Sequence, residues 1–145
     1  MYEVVKDSMG VRRSFVITCG LKAGYGKTAT TFVFEEAVNF ILRWMKMKAA
    51  NKKPFLTGSV TIGEVVYAWP SGEGTADGGS EPVFKFEGEA SPLYSDSMTD
   101  EQVSEILNDL AIRLGTAFHQ TRVYVAYRDV VWILQDEKEK TPTGD

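Results

Sequence analysis

The stretch from Gly20 to Thr28 carries glycines and lysines at a spacing that could hold an anion. It follows an apolar, alternating segment and precedes a long run with helical periodicity. The first N–H groups of a helix have no internal partner and the helix dipole favours negative charge there, so such a turn can bind phosphate. The residues expected to contact the anion are Lys22, Tyr25, Gly26, Lys27 and Thr28.

This turn departs from the phosphate-binding P-loop, whose form is G-x-x-x-x-G-K-[ST]. Gly20 and the run Gly26-Lys27-Thr28 enclose five residues, one more than the motif allows. A P-loop nucleotidase also needs a parallel sheet, whereas the later elements of this chain are expected to pair as an antiparallel set. Two interpretations stay open, a backbone anion site and a plain connection between strand and helix.

A second candidate site lies on the predicted strand 121–128. Its even-numbered residues Arg122, Tyr124 and Arg128 share one face, because side chains alternate along a strand. Two guanidinium groups around an aromatic ring suit a phosphorylated ligand with a flat base. Arg12 and Ser14, on the first predicted strand, are expected to lie close to this face. The alternative is an exposed sheet face with ordinary surface arginines.

The inventory of reactive side chains argues against several kinds of catalysis. The chain has one histidine, His119, and one cysteine, Cys19. A Ser/His/Asp set would require His119, at a predicted helix end, to find both partners. Cys19 lies in an apolar strand, where a buried and inert thiol is expected. We therefore expect no catalytic residues, no metal site and no cofactor.

The composition is that of a single soluble domain, with 43% hydrophobic and 25% charged residues among 145. No stretch resembles a signal peptide or a membrane span, so a cytoplasmic protein without a membrane partner is expected. Residues 1–54 hold ten Lys/Arg against four Asp/Glu, while residues 55–145 hold six against sixteen. The basic first third could face an anion, but it carries no recognised nucleic-acid motif, and a nucleic-acid partner is not expected.

Hydrophobic periodicity predicts the elements that must position these residues. A capping box at Thr99 and Gln102 opens the second helix. The glycine- and acid-rich run 70–81 is predicted to be a mobile hairpin loop, because it is too poor in apolar residues to pack. The predicted strands are 11–21, 56–69, 82–90 and one bent strand or two strands over 121–136, with an edge strand within 1–8; the first helix spans 31–50.

The order β-α-β-β-α-β predicts an α+β sandwich of the ferredoxin-like, split β-α-β type, with an antiparallel sheet and two helices on one face. We expect one domain over residues 1–136 and a disordered polar tail over residues 137–145. Exposed edge strands and the tryptophans Trp69 and Trp132 leave more apolar surface than two helices can cover. We therefore expect a homo-oligomer.

The runs RRSFVITCGL, TGSVTIGEVVYAW and LAIRLGTAFHQTRVYV give the chain a resemblance to small ferredoxin-like bacterial proteins of unassigned function. The size and the pair Arg122 and Arg128 are also similar to those of phage anti-Thoeris sponge proteins, which sequester cyclic ADP-ribose-type and related cyclic nucleotides without cleaving them. This second resemblance implies that the two arginines grip phosphates. It further implies that an aromatic residue, Phe86 or Tyr124, stacks on the base.

The leading functional expectation is a non-catalytic binding protein for an anionic, nucleotide-like small molecule, an anti-defence sponge if the phage resemblance holds. Two alternatives stay open. One is an enzyme of the same fold that acts on a phosphorylated small molecule, with the glycine-rich turn as its phosphate site. The other is a structural or regulatory module that dimerises through its sheet.

Overall fold

The structure, a computed structural model, describes residues 1–24, 28–95 and 97–139. Residues 140–145, which make up most of the predicted polar tail, lie outside the described part. The elements in chain order are β1 Ser14–Gly20, β2 Lys22–Ala23, β3 Thr30–Thr31, α1 Phe34–Ala50, β4 Ser59–Gly72, β5 Thr75–Glu89, α2 Pro92–Ser95, α3 Asp100–Ala117, β6 Arg122–Tyr127, β7 Val130–Gln135 and a 3-10 turn Glu137–Glu139.

The predicted α+β fold is confirmed. Five strands form one sheet in the order β4-β5-β1-β6-β7, and every neighbouring pair is antiparallel. The order β4-β5-β1-β6, with α1 and α3 as the connections, is the ferredoxin-like arrangement. The segment 121–135 forms two strands, which turn at Arg128 and Asp129. This hairpin adds β7 as a fifth strand at one edge.

The core lies between the sheet and the two long helices. On β1 every second side chain from Phe15 to Cys19 faces the helices and is at most 1% exposed, and Leu21, directly after the strand, is equally buried. The matching side of β5 contributes Phe84 and Phe86, both fully buried. Across β1, Ile17 lies opposite both Phe86 and Val125, so three adjacent strands direct apolar side chains to the same side. The opposite, helix-free side is here called the open face.

Phe86 was expected to stack on a ligand base, and its position contradicts that role. Its side chain is 0% exposed and its ring lies 5.4 Å from the ring of Phe15. The alternation along β5 places Phe86 on the helix side of the sheet and Lys85 on the open face. Phe86 is therefore a core residue, and a ligand could reach it only by opening the core.

The two long helices begin for different reasons. The hydroxyl of Thr99 accepts the N–H of Gln102 at 3.1 Å, and the side chain of Gln102 accepts the N–H of Thr99 at 2.8 Å. This is the predicted capping box. Helix α1 begins at Phe34, three residues later than expected, because Thr30 and Thr31 form β3 and pair with β2.

The N-terminal segment, residues 1–13, was expected to contain an edge strand. It contains no strand in the structure.

The prediction of a mobile loop over residues 70–81 is wrong. Strands β4 and β5 continue to pair from Ser59 opposite Glu87 out to Gly72 opposite Thr75, with an irregularity after Pro70. One glycine of the run, Gly79, faces an aromatic side chain: a Cβ on Gly79 would lie 3.1 Å from the hydroxyl of Tyr67. An aromatic ring that covers a cross-strand glycine compensates for the side chain that glycine lacks. The run therefore forms the outer half of a long two-stranded ribbon.

The burial of Phe86 gives a direct test of its reassignment. Replacing Phe86 with Ala should lower the free energy of unfolding by about 3–5 kcal/mol, because it leaves a large cavity in the core. Tyr124→Ala, which removes an aromatic side chain that is 49% exposed on the open face, should change it by roughly 0.5 kcal/mol or less. Urea unfolding of both variants measures the difference, and equal losses would contradict the core assignment.

Candidate functional site

The predicted anion-binding turn does not open a helix in the structure. Lys22 lies in β2 opposite Thr31, and its carbonyl accepts a hydrogen bond from the side chain of Gln120. The first turn of α1 instead carries Glu35 and Glu36, and the Glu36 carboxylate accepts the N–H of Val33 at 3.1 Å. Carboxylates of the chain itself therefore interact with this helix terminus, where an anion was expected to bind.

The other predicted residues of this turn are only partly described. Tyr25, Gly26 and Lys27 lie outside the described residues, so their proposed contacts with an anion stay predictions. Thr28 is exposed, and Gly24 has a positive φ of 83°, which a glycine adopts without strain. What the described residues show is an antiparallel pairing of β2 with β3 before α1 begins.

Arg128 does not share a surface with Arg122. It lies in the turn after β6 with a φ of 52°, and its guanidinium donates to Asp100 at 3.0 Å. Asp100 is the first residue of α3, so this bond directs the Arg128 side chain towards the helix layer. The even spacing of Arg122 and Arg128 predicts a common face only while the strand continues, and β6 ends at Tyr127.

Asp100 is the centre of a cluster that joins the turn after β6 to α3 and to the segment before β1. Its carboxylate accepts the hydroxyl of Tyr127 at 2.6 Å and lies 3.2 Å from the guanidinium of Arg13. Arg13 also donates to the carbonyl groups of Ser95 and Met98. The Tyr127 hydrogen bond, followed by the charges of Arg128 and Arg13, lowers the pKa of Asp100 below its usual value. This cluster accounts for the position of Arg128 in structural terms.

Arg12 is likewise paired with a carboxylate of the chain itself and not with a surface shared with Arg122 and Tyr124. Its guanidinium donates to the carboxylate of Glu89 at 2.9 and 3.1 Å, and the hydroxyl of Ser14 donates to the same oxygen. The Ser14 hydrogen bond is the largest cause of the lowered pKa of Glu89. The open face beside β6 therefore retains Arg122 and Tyr124 from the predicted set. Tyr124 lies opposite Thr18 on one side and Ile133 on the other.

The ribbon carries a surface that the sequence analysis did not assign to a site. Tyr67 and Trp69 follow each other on the open face of β4, and their rings stack with centroids 5.9 Å apart and an angle of 16°. Opposite them on β5 lie Gly79 and Asp77, and Glu81 lies opposite Val65. The hydroxyl of Tyr67 lies 3.5 Å from the carboxylate of Glu81. We call Tyr67, Trp69, Asp77 and Glu81 the ribbon face.

The chemistry of the ribbon face favours a cation that carries a planar ring. Aromatic faces attract cations through their quadrupole, and two carboxylates add negative charge beside them. Tyr67 and Trp69 are 41% and 48% exposed, so their rings are accessible in a single copy of the chain. The preferred charge is opposite to that of the ligand expected from the basic N-terminal third. The alternation Val65, Tyr67, Trp69 was the sequence signal for this surface.

Cys19 and His119 lie away from the ribbon face. Burial raises the pKa of the Cys19 thiol to about 12, so the thiolate is scarce at neutral pH. His119 follows α3 with a φ of 54°, and its ring lies 6.0 Å from that of Phe32. Within residues 1–24, 28–95 and 97–139, no group of three His, Cys, Asp or Glu side chains could hold a metal ion.

Comparison with known proteins identifies the fold. No family model and no curated protein matches the chain. A phage SAM lyase solved in complex with S-methyl-5'-thioadenosine matches with a TM-score of 0.69 and 17% identity, over 95% of this chain and 100% of the other. A phage SAM lyase in the apo state matches with a TM-score of 0.63 and 15% identity, over 92% and 98%.

These comparisons correct the functional expectation. Both neighbours are phage proteins, and one binds a nucleoside-like small molecule, as the predicted class of ligand implied. Both are named as lyases, however, and a lyase is an enzyme. The expectation of a non-catalytic sponge that only sequesters its ligand is therefore contradicted. None of the helices in the described part of the chain combines the length and the apolar composition that a membrane span requires.

The Asp100 cluster predicts a dependence of stability on pH. Because the folded state lowers the pKa of Asp100 below its ordinary 3.8, the carboxylate stabilises the fold above that pH, and this contribution is lost as the pH falls through the lowered pKa. Asp100→Asn should therefore be less stable than the wild type at neutral pH, and the difference should shrink below about pH 4. Urea unfolding across this range measures it.

The matched control for this prediction is Glu101→Gln, which removes a carboxylate one residue further along the same first turn of α3. It lowers the negative charge near the helix terminus equally but leaves the contacts of Asp100 intact. A loss of stability in Glu101→Gln as large as that in Asp100→Asn would assign the effect to the helix dipole instead of the cluster.

Proposed function

We propose that this protein is an enzyme that cleaves a nucleoside sulfonium compound of the S-adenosylmethionine type. The observation that carries the proposal is the match of 95% of the chain to a phage SAM lyase that holds S-methyl-5'-thioadenosine. The ribbon face supports it independently, since stacked aromatic rings beside carboxylates suit a cation attached to a flat base. This proposal replaces the sponge and develops the alternative of an enzyme that acts on a small molecule, with a sulfonium cation in place of the phosphorylated substrate.

The proposed reaction requires little from the protein. The sulfonium sulfur of S-adenosylmethionine carries a methyl, an adenosyl and an aminocarboxypropyl group. If the substrate's own carboxylate oxygen attacks the carbon bound to sulfur in the aminocarboxypropyl group, the C–S bond breaks and its electron pair stays on sulfur. The products are S-methyl-5'-thioadenosine and a cyclic ester, and no proton or water is needed. A chain with one histidine and a buried, protonated thiol is compatible with such chemistry.

The protein's contribution would then be orientation and electrostatics. We assign Trp69 and Tyr67 to the adenine ring or the sulfonium, and Glu81 to the substrate's positive charge. Holding the carboxylate close to the carbon it attacks supplies the effective concentration on which intramolecular reactions depend. The sulfur becomes neutral as the bond breaks, so the attraction to Glu81 weakens and the thioether can leave. The carboxylate therefore favours substrate binding over product binding.

The ribbon face of one copy leaves a ligand largely open to water. Binding pockets usually bury most of a small ligand's surface, and nearly all of the outer ribbon is exposed in the single chain. We propose that a second copy covers the ribbon face, which retains the homo-oligomer expected from the sequence. The exposed apolar residues of β7 on the open face, Val131 and Ile133, would extend the same contact.

The catalytic proposal is tested by incubating the purified protein with S-adenosylmethionine and separating the products by liquid chromatography. The wild type should convert it to S-methyl-5'-thioadenosine. Trp69→Ala and Glu81→Gln should each lower kcat/KM by about 10-fold or more, since each removes an interaction worth roughly 1.4 kcal/mol or more. Release of unchanged S-adenosylmethionine on heating would contradict the enzyme proposal.

Tyr124→Ala is the matched control for the ribbon variants. It also removes an exposed aromatic side chain from the open face, but from β6 instead of β4. Its kcat/KM should stay within about twofold of the wild type at protein concentrations where the mass is unchanged. An equal loss in Tyr124→Ala would show that the ribbon face has no special role.

The proposed assembly is tested separately by sedimentation velocity over a range of protein concentrations. The wild type should sediment as more than one copy, and Val131→Asp should shift it towards a single copy because it places a charge in the expected apolar contact. A wild type that sediments as a single copy at every concentration would contradict the proposed assembly.

A further inference from the structure

The two long helices leave a groove on the side of the molecule away from the open face. Two adjoining cavities of about 310 and 270 Å³ lie along it, and both are lined by Phe40 and Arg43 of α1. From Glu36 to Met47 the groove follows twelve residues of α1, about 16 Å for eleven steps of 1.5 Å. The other lining residues include Trp44, Arg113 and Phe118.

The groove has an apolar floor beneath basic side chains. Phe118 is 3% exposed and packs edge-on against Phe40 with ring centroids 6.2 Å apart. The guanidinium of Arg43 lies 5.9 Å from the centroid of the Phe40 ring, and Met47 is 38% exposed at the far end. Aromatic, Met and Arg side chains are the types enriched at protein interfaces, and hot spots favour Trp, Tyr and Arg. The composition therefore favours a protein partner.

The residues that line the two cavities include two arginines, Arg43 and Arg113, against one carboxylate, Glu36, in a protein whose net charge is −4. Arg113 and Lys48 both contact the single carboxylate of Asp109, at 3.1 Å each. Within the described part of the chain, no carboxylate forms an ion pair with Arg43. The terminal nitrogens of Arg113 take part in no hydrogen bond to a described residue, so they remain donors for a further carboxylate.

We propose that the groove between α1 and α3 binds an acidic segment of another protein, with an aliphatic or aromatic anchor over Phe40 and Met47. The carboxylates of the segment would pair with Arg43 and Arg113, whose planar groups bind carboxylates in two-point geometry. The site lies on the helix layer, opposite the open face, so it is independent of the proposed reaction at the ribbon face. Because the net charge of the protein repels an acidic chain at a distance, binding must come from local contacts.

The proposal is tested by fluorescence anisotropy with a labelled synthetic helical peptide that has Leu at positions i, i+4 and i+7 and Glu elsewhere. The wild-type protein should bind this peptide, and the affinity should fall as salt is raised. The double variant Arg43→Ala with Arg113→Ala should weaken binding by about 10-fold or more, which corresponds to the loss of roughly 1.4 kcal/mol. Met47→Ala should weaken it by a smaller factor.

Arg12→Ala with Arg122→Ala is the charge-matched control. It also removes two guanidinium groups, but from exposed positions outside the groove, and it should bind the peptide as the wild type does. Equal weakening in both double variants, or no binding of the peptide by the wild type, would overturn the proposal. An assembly of the protein that Arg43→Ala with Arg113→Ala dissociates would also overturn it, because the groove would then be a contact between copies.

Discussion

Burial of alternate side chains of β1 is the constraint on which the rest of the structure depends. Phe15, Ile17 and Cys19 are each at most 1% exposed, as is Leu21 directly after the strand, and β1 is the central strand of the sheet. A slip of one residue in its pairing would turn this entire apolar set to the other face, so the register with β5 and β6 is strongly specified. That register determines which side chains of β5 face the helices and which remain on the open face.

Side chains of β4 and β5 also alternate between the two faces of the sheet along the outer ribbon, but there both faces are exposed. Where helices cover the sheet, the helix-side residues of β5 are buried; along the ribbon no helix covers either face, and the side chains of β4 from Glu64 onward are exposed. Folding therefore orders the rings of Tyr67 and Trp69 through cross-strand pairing alone. A surface that is ordered but uncovered is what a ligand or a second copy requires, since little rotameric freedom is left to lose on binding.

The fold could be predicted from the sequence because its signals are local and repeated. Alternation in β1 and the capping box of Thr99 and Gln102 agree with the observed elements. The ribbon was missed because glycine-rich runs usually indicate loops, and the compensation of Gly79 by Tyr67 depends on a partner 12 positions away. The candidate site was harder to predict than the fold. The position of Arg128 depends on Asp100, which is 28 positions away and on another element. The spacing of residues along one strand does not contain that information.

The burial of Cys19 has a consequence for how this molecule can be studied. It is the only cysteine of the chain, and its thiol is inaccessible as well as hard to ionise. Towards thiol reagents at neutral pH the folded protein therefore behaves as if it had no cysteine. A cysteine introduced on the ribbon or beside the groove would be the single reactive thiol, so probes could be attached to either surface without first altering the core.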